Sequence, residues 1–176
     1  SASGRLHEIT NLLKEGKRLA LVSDGGMPLI SDPGFCVVHQ ALEHRLPVEA
    51  LPGPSSVDTA LILSGLPCDS FSFLGFLSNK GQQRKNELKT FADREETLIF
   101  FESPFRIVRT LQDMLEIFGD REAALVRELT KKFEEVLRGK LSELVQDVIK
   151  HSRKGEMVVL VSGKGRKQVL PQRSHP

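Results

Sequence analysis

Apolar residues recur along this chain with two periods, and the alternation between them predicts repeated strand and helix segments. Leu6, Ile9, Leu12 and Leu13 stand at helical spacing, which predicts an amphipathic helix over His7–Glu15 that ends at Gly16. The run Arg18–Val22 then reads as a short strand buried on both faces. Ser23-Asp24-Gly25-Gly26 turns the chain, and Ser31-Asp32-Pro33 offers an N-cap and a first-turn proline for a helix through Phe35, Val38 and Leu42. Val48–Leu51 predicts a second strand, which runs into the elbow Pro52-Gly53-Pro54-Ser55-Ser56 and a close-packed helix over Val57–Leu66. The interval between the two strands holds a helical crossover. A right-handed βαβ unit follows, with both elbows expected at one edge of one parallel sheet.

Gly65–Asp69 interrupts the pattern and marks the expected boundary between two lobes. Beyond it, Phe71–Phe76 alternates as a strand and Gln82–Phe91 forms a basic helix. Thr97–Phe101 is a strong strand, closed by a third elbow at Glu102-Ser103-Pro104. Ile107, Val108, Leu111, Leu115 and Phe118 then form an apolar helical stripe that stops at Gly119-Asp120. Ala123–Arg127 and Glu134–Arg138 read as strands, Leu141–Ile149 as an amphipathic helix and Met157–Val161 as a buried strand, with little order expected from Gly163 on. The expected division is a cofactor-binding α/β lobe over 1–66, a second α/β lobe over 67–163 and a disordered basic tail over 164–176.

Composition narrows the class. Charged residues make up 27% and apolar residues 39% of the 176, as in a water-soluble globular protein. No apolar run approaches the ~20 residues that span a bilayer, and no charged-then-apolar leader opens the chain, so a cytoplasmic protein is expected. Cys36 and Cys68 lack ligand or redox spacing and are expected to be reduced, buried thiols, with no metal site. A net charge of +2 does not by itself argue for nucleic acid. Local clusters are more informative: Lys80, Arg84, Lys85 and Lys89 share one segment, and Lys164, Arg166, Lys167 and Arg173 share the tail.

The chain has no GxxxxGK[ST], no GxGxxG after a strand, no HExxH and no GxSxG, which removes support for P-loop hydrolysis, standard dinucleotide binding, zinc proteolysis and α/β-hydrolase chemistry. What remains is a set of elbows rich in backbone amides and hydroxyls, with Met27, Leu29 and Ile30 able to cover apolar faces. Such a surface suits a zwitterionic or adenosine-bearing small molecule.

Five blocks then occur in order: SDGGMPLISDPG, LPGPSS, TLIFFESPFR, RELTKKFEEVLRG and KGEMVVLVSG. Together they resemble the tetrapyrrole methylase superfamily, the class III methyltransferases that use S-adenosyl-L-methionine, and within it the small-subunit ribosomal RNA methyltransferase I family. The resemblance implies a tetrapyrrole-methylase-like α/β fold, two lobes with a cofactor cleft between them. It also implies 2′-O-methylation of a cytidine in 16S rRNA, by a homodimer. The family's opening strand and Pro/Gly loop have no counterpart here, so the first lobe is expected to be N-terminally incomplete and the chain a fragment of a longer enzyme. A tetrapyrrole C-methyltransferase and a non-catalytic fragment are the alternatives.

Carried over by position, the resemblance assigns Gly25, Gly26, Met27, Ile30, Ser55, Ser56, Phe101, Leu129 and Met157 to the cofactor. A ribose hydroxyl attacks well only as its proton is drawn away, so Asp24, Glu102, Glu128 and Lys131 are candidate bases, Glu102 first because it ends a strand. Lys80, Arg84, Lys85 and Arg106 are candidates for RNA phosphate contact. Three positions depart from the family's usual residues: Met27 stands for a threonine, and Phe105 and Phe133 for histidines. Phe105 is expected either to pack beneath its helix or to stack on a base.

Overall fold

A computed structural model of the protein describes residues 2–166, which fall into two units that divide after Ser55. The first unit holds two helices, α1 (Ala2–Lys14) and α2 (Phe35–Glu43), packed on each other. Gly16, at φ 81, ends α1 as expected: its N–H bonds to the Leu13 carbonyl and that of Lys17 to the Leu12 carbonyl.

Neither strand predicted for this unit forms. Residues 18–22 and 48–51 carry no assigned strand, and no partner pairs with them among the described residues. Val22 is 84% and Leu51 83% exposed. An apolar run becomes a doubly buried strand only when neighbours supply both hydrogen-bonded edges and both covered faces. The βαβ unit and its parallel sheet are therefore corrected to two irregular segments, one before and one after α2 in the chain. The predicted cap is corrected too: α2 starts at Phe35 behind Gly34, and Asp32 does not cap it.

The second unit opens with α3 (Ser56–Ser64) and continues β1 (Phe71–Phe76), α4 (Gly81–Phe91), β2 (Thr97–Glu102), α5 (Ile107–Phe118), β3 (Glu122–Arg127), β4 (Glu135–Lys140), α6 (Leu141–Lys150) and β5 (Met157–Val161). These elements follow the predicted order closely. The strands form one mixed sheet in the order β1-β2-β5-β3-β4, parallel between β1 and β2 and antiparallel elsewhere. One face, with Leu98, Phe100, Leu125, Val159 and Val161, buries against residues of α4, α5 and α6. The other, with Ile99, Ala124, Val126, Val158 and Leu160, buries against Val57, Ala60 and Leu61 of α3. This face contact draws α3 into the second unit, so the unit boundary falls before this helix and not at the expected break after Leu66.

Within β1 the register slips. Phe73 pairs with Ile99, yet Phe76 pairs with Phe101, so β1 carries one extra residue at a bulge where Gly75 takes φ 65. The slip returns Phe76 to the face of Phe73, and both rings meet Phe101 edge-on, at centroid distances of 5.5 and 4.8 Å.

Two smaller expectations are also corrected. Cys36 and Cys68 are free but exposed, not buried. Order persists past Gly163: Lys164 pairs with Asp93 and Arg166 with Asp69. The remaining tail cations, Lys167 and Arg173, lie outside the described residues.

Candidate functional site

In the first unit the two elbows touch. A Cβ on Gly26 would stand 3.3 Å from the Pro54 carbonyl oxygen, and one on Gly53 would stand 3.2 Å from the Met27 sulfur. Glycine at both positions lets 25–27 and 52–54 lie against each other as one wall of exposed main chain. The first elbow is held open by its own side chains. Ser23 Oγ donates to Asp32 Oδ2 at 2.6 Å, and Leu29 and Ser31 accept φ values of 73 and 60 that β-carbon residues rarely adopt. Ile30 is half-exposed beside them and Ser56 opens α3 next to Ser55. Asp24 is exposed and engaged by no hydrogen bond or ion pair among the described residues.

In the second unit the remaining assigned residues gather at one edge of the sheet. Because β1, β2 and β3 run the same way, their carboxyl ends share that edge, and pairing places Glu102, Met157, Arg127 and Glu135 in one row across β2, β5, β3 and β4. Glu102 is 3% exposed and fully engaged. Oε1 accepts from the Ser103 N–H at 2.6 Å and from Arg106 Nε at 2.8 Å, and Oε2 accepts from the Thr110 hydroxyl at 2.6 Å. Arg106 in turn donates to the Leu77 carbonyl, tying the loop after β2 to the loop after β1. Sequence reasoning missed Thr110, whose only signal is its place on the buried side of α5. Phe101 and Leu129 are partly buried against the α3 face, while the Met157 side chain is 2% exposed in the core and leaves only its main chain at the edge.

The β3–β4 loop, 128–134, carries backbone strain of its own. Glu128 and Thr130 sit at φ 49 and 62. Hydrogen bonds hold them there: Glu128 Oε1 accepts from the Glu156 N–H at 2.9 Å, and the Thr130 N–H donates to Glu134 Oε2 at 2.7 Å. The Glu156 N–H first, and then Lys131, hold the Glu128 carboxyl below the ordinary glutamate value. Lys131 bridges Glu156 at 2.9 Å and Glu128 at 3.2 Å, and these carboxylates hold its ammonium above the ordinary lysine value. A lysine so held stays protonated and cannot draw a proton from a hydroxyl.

Of the four cations expected to meet phosphate, three are paired within the unit. Arg84 is 5% exposed, with Nε and a terminal nitrogen both 2.7 Å from Asp113 Oδ2, which removes it from any surface. Lys85 reaches Glu116 at 2.6 Å, Arg106 is committed to Glu102, and Lys80 is exposed at the start of α4. Phe105 does not pack beneath α5: it is 95% exposed. Phe133, which sequence reasoning passed over as a substitution, is 64% exposed, with the Lys132 ammonium 5.7 Å from its ring. Its signal is a lone aromatic between two lysines and two glutamates. Among the described residues, no group of three or more His, Cys, Asp and Glu is placed to hold a metal, and no helix is long and apolar enough to cross a membrane.

These features define a class first. Solved structures with similar folds are the methyltransferase CobJ, at TM-score 0.68 and 19% identity over 95% of this chain and 73% of that one, and uroporphyrin-III C-methyl transferase from Thermus thermophilus complexed with S-adenyl homocysteine, at TM-score 0.57 and 25% identity over 90% and 73%. The sequence profile of the Tetrapyrrole (Corrin/Porphyrin) Methylases matches residues 5–145, and the chain belongs to that family. It is 46% identical to ribosomal RNA small subunit methyltransferase I of Thermotoga maritima over 160 residues, 91% of this chain and 72% of the relative. It is 48% identical to the protein of the same name from Halalkalibacterium halodurans over 88% of this chain and 44% identical to that from Bacillus subtilis over 93%. The chain spans 54% and 56% of those two relatives, about half their length.

Proposed function

We propose that this chain belongs to an S-adenosyl-L-methionine-dependent methyltransferase that methylates the ribose 2′-hydroxyl of a cytidine in 16S rRNA, acting in the cytoplasm as a homodimer. The observation that carries the reading is the contact between the elbows at Gly26 and Pro54, in a chain nearly half identical to proteins named for rRNA methylation. The wall fits the cofactor in kind: main-chain amides and carbonyls at Gly25, Gly26 and Gly53 for its polar atoms, and Met27 and Ile30 for its apolar ones. Ser55 belongs to the same proposed contact set; Ser56, Phe101, Leu129 and Met157 of the second unit are proposed for cofactor contact on the family resemblance alone.

When bound, the cofactor supplies a methyl group on a sulfonium, and the acceptor oxygen must approach in line with the bond that breaks. The chain's part is to hold the ribose and take the hydroxyl proton. Glu102 has its oxygens engaged, Glu128 is held in its charged form by the Glu156 N–H and Lys131, and Lys131 keeps its proton, which leaves the exposed Asp24 carboxylate as the acceptor of that proton. Glu102 acts as a positioning residue through Arg106 and Thr110. Lys80 serves the RNA backbone, with Lys85 exchanging Glu116 for phosphate.

The test is transfer of labelled methyl to small ribosomal subunits, followed by nucleoside analysis. Labelled 2′-O-methylcytidine supports the reading. Label on an added porphyrinoid instead selects C-methylation of a tetrapyrrole, and no label with no calorimetric heat from S-adenosylhomocysteine marks a non-catalytic fragment.

A further inference from the structure

We propose that Phe105 and Phe133 form a two-ring platform on which unstacked bases of single-stranded RNA lie; the inference rests on the RNA reading above and names the part of the surface that grips the substrate. A phenylalanine exposed singly needs no explanation. Two of them on the strand-end loops of one sheet edge, each fixed by a buried or strained anchor, are a different matter.

Phe105 lies three residues beyond Glu102, and its loop is clamped on both sides. Glu102 holds the Ser103 N–H and Arg106, and Arg106 holds the Leu77 carbonyl. The Phe105 N–H donates to Ser103 Oγ at 3.3 Å, so the main chain is fixed while the ring is 95% exposed. Phe133 is presented by the β3–β4 loop, whose positive-φ residues Glu128 and Thr130 are held by Glu156 and Glu134. A rigid stem carrying an exposed ring loses little entropy when a flat partner stacks on it.

The spacing and the charge both suit a nucleic acid strand. Phe105 follows β2 and Phe133 stands just before β4, with β5 and β3 between those strands, so the two stems emerge about 14 Å apart along the edge, the span of a few splayed nucleotides. Lys132 lies over the Phe133 ring and Lys80 stands on the loop after β1 at the same edge, cations suited to phosphates between bases. Ring faces stack on any base, which gives affinity without sequence reading, while base edges stay free for other groups. A folded duplex offers no such faces, so the ligand is an unpaired segment.

The experiment measures binding of the full chain to a fluorescently labelled single-stranded RNA oligonucleotide by anisotropy, beside a duplex of the same sequence. Phe105→Ala and Phe133→Ala should each weaken single-strand binding about 5- to 150-fold, the range that loss of one base–aromatic stack produces, with an unchanged salt slope. Lys132→Ala should lower the salt slope by about one unit without that pattern. Phe105→Tyr should restore wild-type affinity, because the ring face is kept. Thermal melting of each variant within a degree or two of wild type shows that the loss is not unfolding. Equal single-strand binding by wild type and both alanine variants overturns the platform. So does an alanine effect confined to concentration-dependent self-association, which would assign the rings to a second copy of the chain. If binding depends on the rings but no methyl is transferred to rRNA, the platform stands and the methylation reading fails; if the wild-type chain binds no RNA, both fall.

Discussion

The Thr110 hydroxyl, inside α5, donates a 2.6 Å hydrogen bond to Oε2 of Glu102, the last residue of β2, and neither residue is more than 3% exposed. With Arg106 on the other oxygen, this fastens the first turns of α5 to the sheet edge. A carboxylate with both oxygens satisfied by fixed donors gains nothing by moving.

Glu102→Gln should therefore act on stability first. Removing one partner of a buried ion pair costs about 3–5 kcal/mol, and the quarter-exposed Arg106 side chain lowers that to roughly 2–3 kcal/mol here. Urea unfolding at neutral pH measures it. Lost turnover with an unshifted unfolding midpoint would instead give Glu102 a chemical role.

Gly26→Ala should weaken S-adenosylhomocysteine binding more than Gly53→Ala does. Gly26 combines φ 78, which costs a non-glycine residue about 1–2 kcal/mol, with a carbonyl 3.3 Å from the added methyl. At Gly53 the neighbour is the end of the flexible Met27 side chain, which can turn away. Calorimetry on both variants gives the order, and equal affinities would separate the elbow contact from cofactor binding.

The Glu128 carboxyl, held low by the Glu156 N–H and Lys131, titrates below the same group in the unfolded chain. Its contribution is present above the unfolded value and is lost as pH falls through the lower folded one. Carboxyl NMR should show this midpoint below that of an ordinary glutamate, and Glu128→Gln should remove that part of the acid dependence. On the alkaline side Lys131, held high by Glu156 and Glu128, keeps its charge, so Lys131→Met should leave the basic limb of any pH–rate profile in place. A lost limb would make Lys131 the base.

Gly75→Ala should destabilise the second unit by about 1–2 kcal/mol, because the bulge requires φ 65. Deleting Gly75 tests the register directly: without the extra residue Phe76 stands two positions after Phe73, still opposite Phe101, so the near-ultraviolet circular dichroism of the ring cluster should persist. A lost signal would show that the extra residue is not confined to the bulge between Phe73 and Phe76.

The amino-acid sequence by itself determined the second unit almost element by element. Phe71–Phe76 and Met157–Val161 form over the predicted residues, and the stripe Ile107 to Phe118 became α5, because their apolar periods match the strand and helix repeats and glycine or proline punctuates their ends. The order of its five motif blocks was equally legible, and family membership follows from it. Tertiary structure alone decided what periodicity does not carry. Arg18–Val22 has the composition of a buried strand but finds no paired neighbour among the described residues, since a strand depends on hydrogen-bond partners supplied from elsewhere. The choice between Glu102 as base and Glu102 as anchor turned on Thr110 and Arg106, and the state of Lys131 on Glu156, 25 residues away. Local pattern encodes which face a residue takes, whereas a side chain's charge and freedom depend on the groups that folding brings beside it.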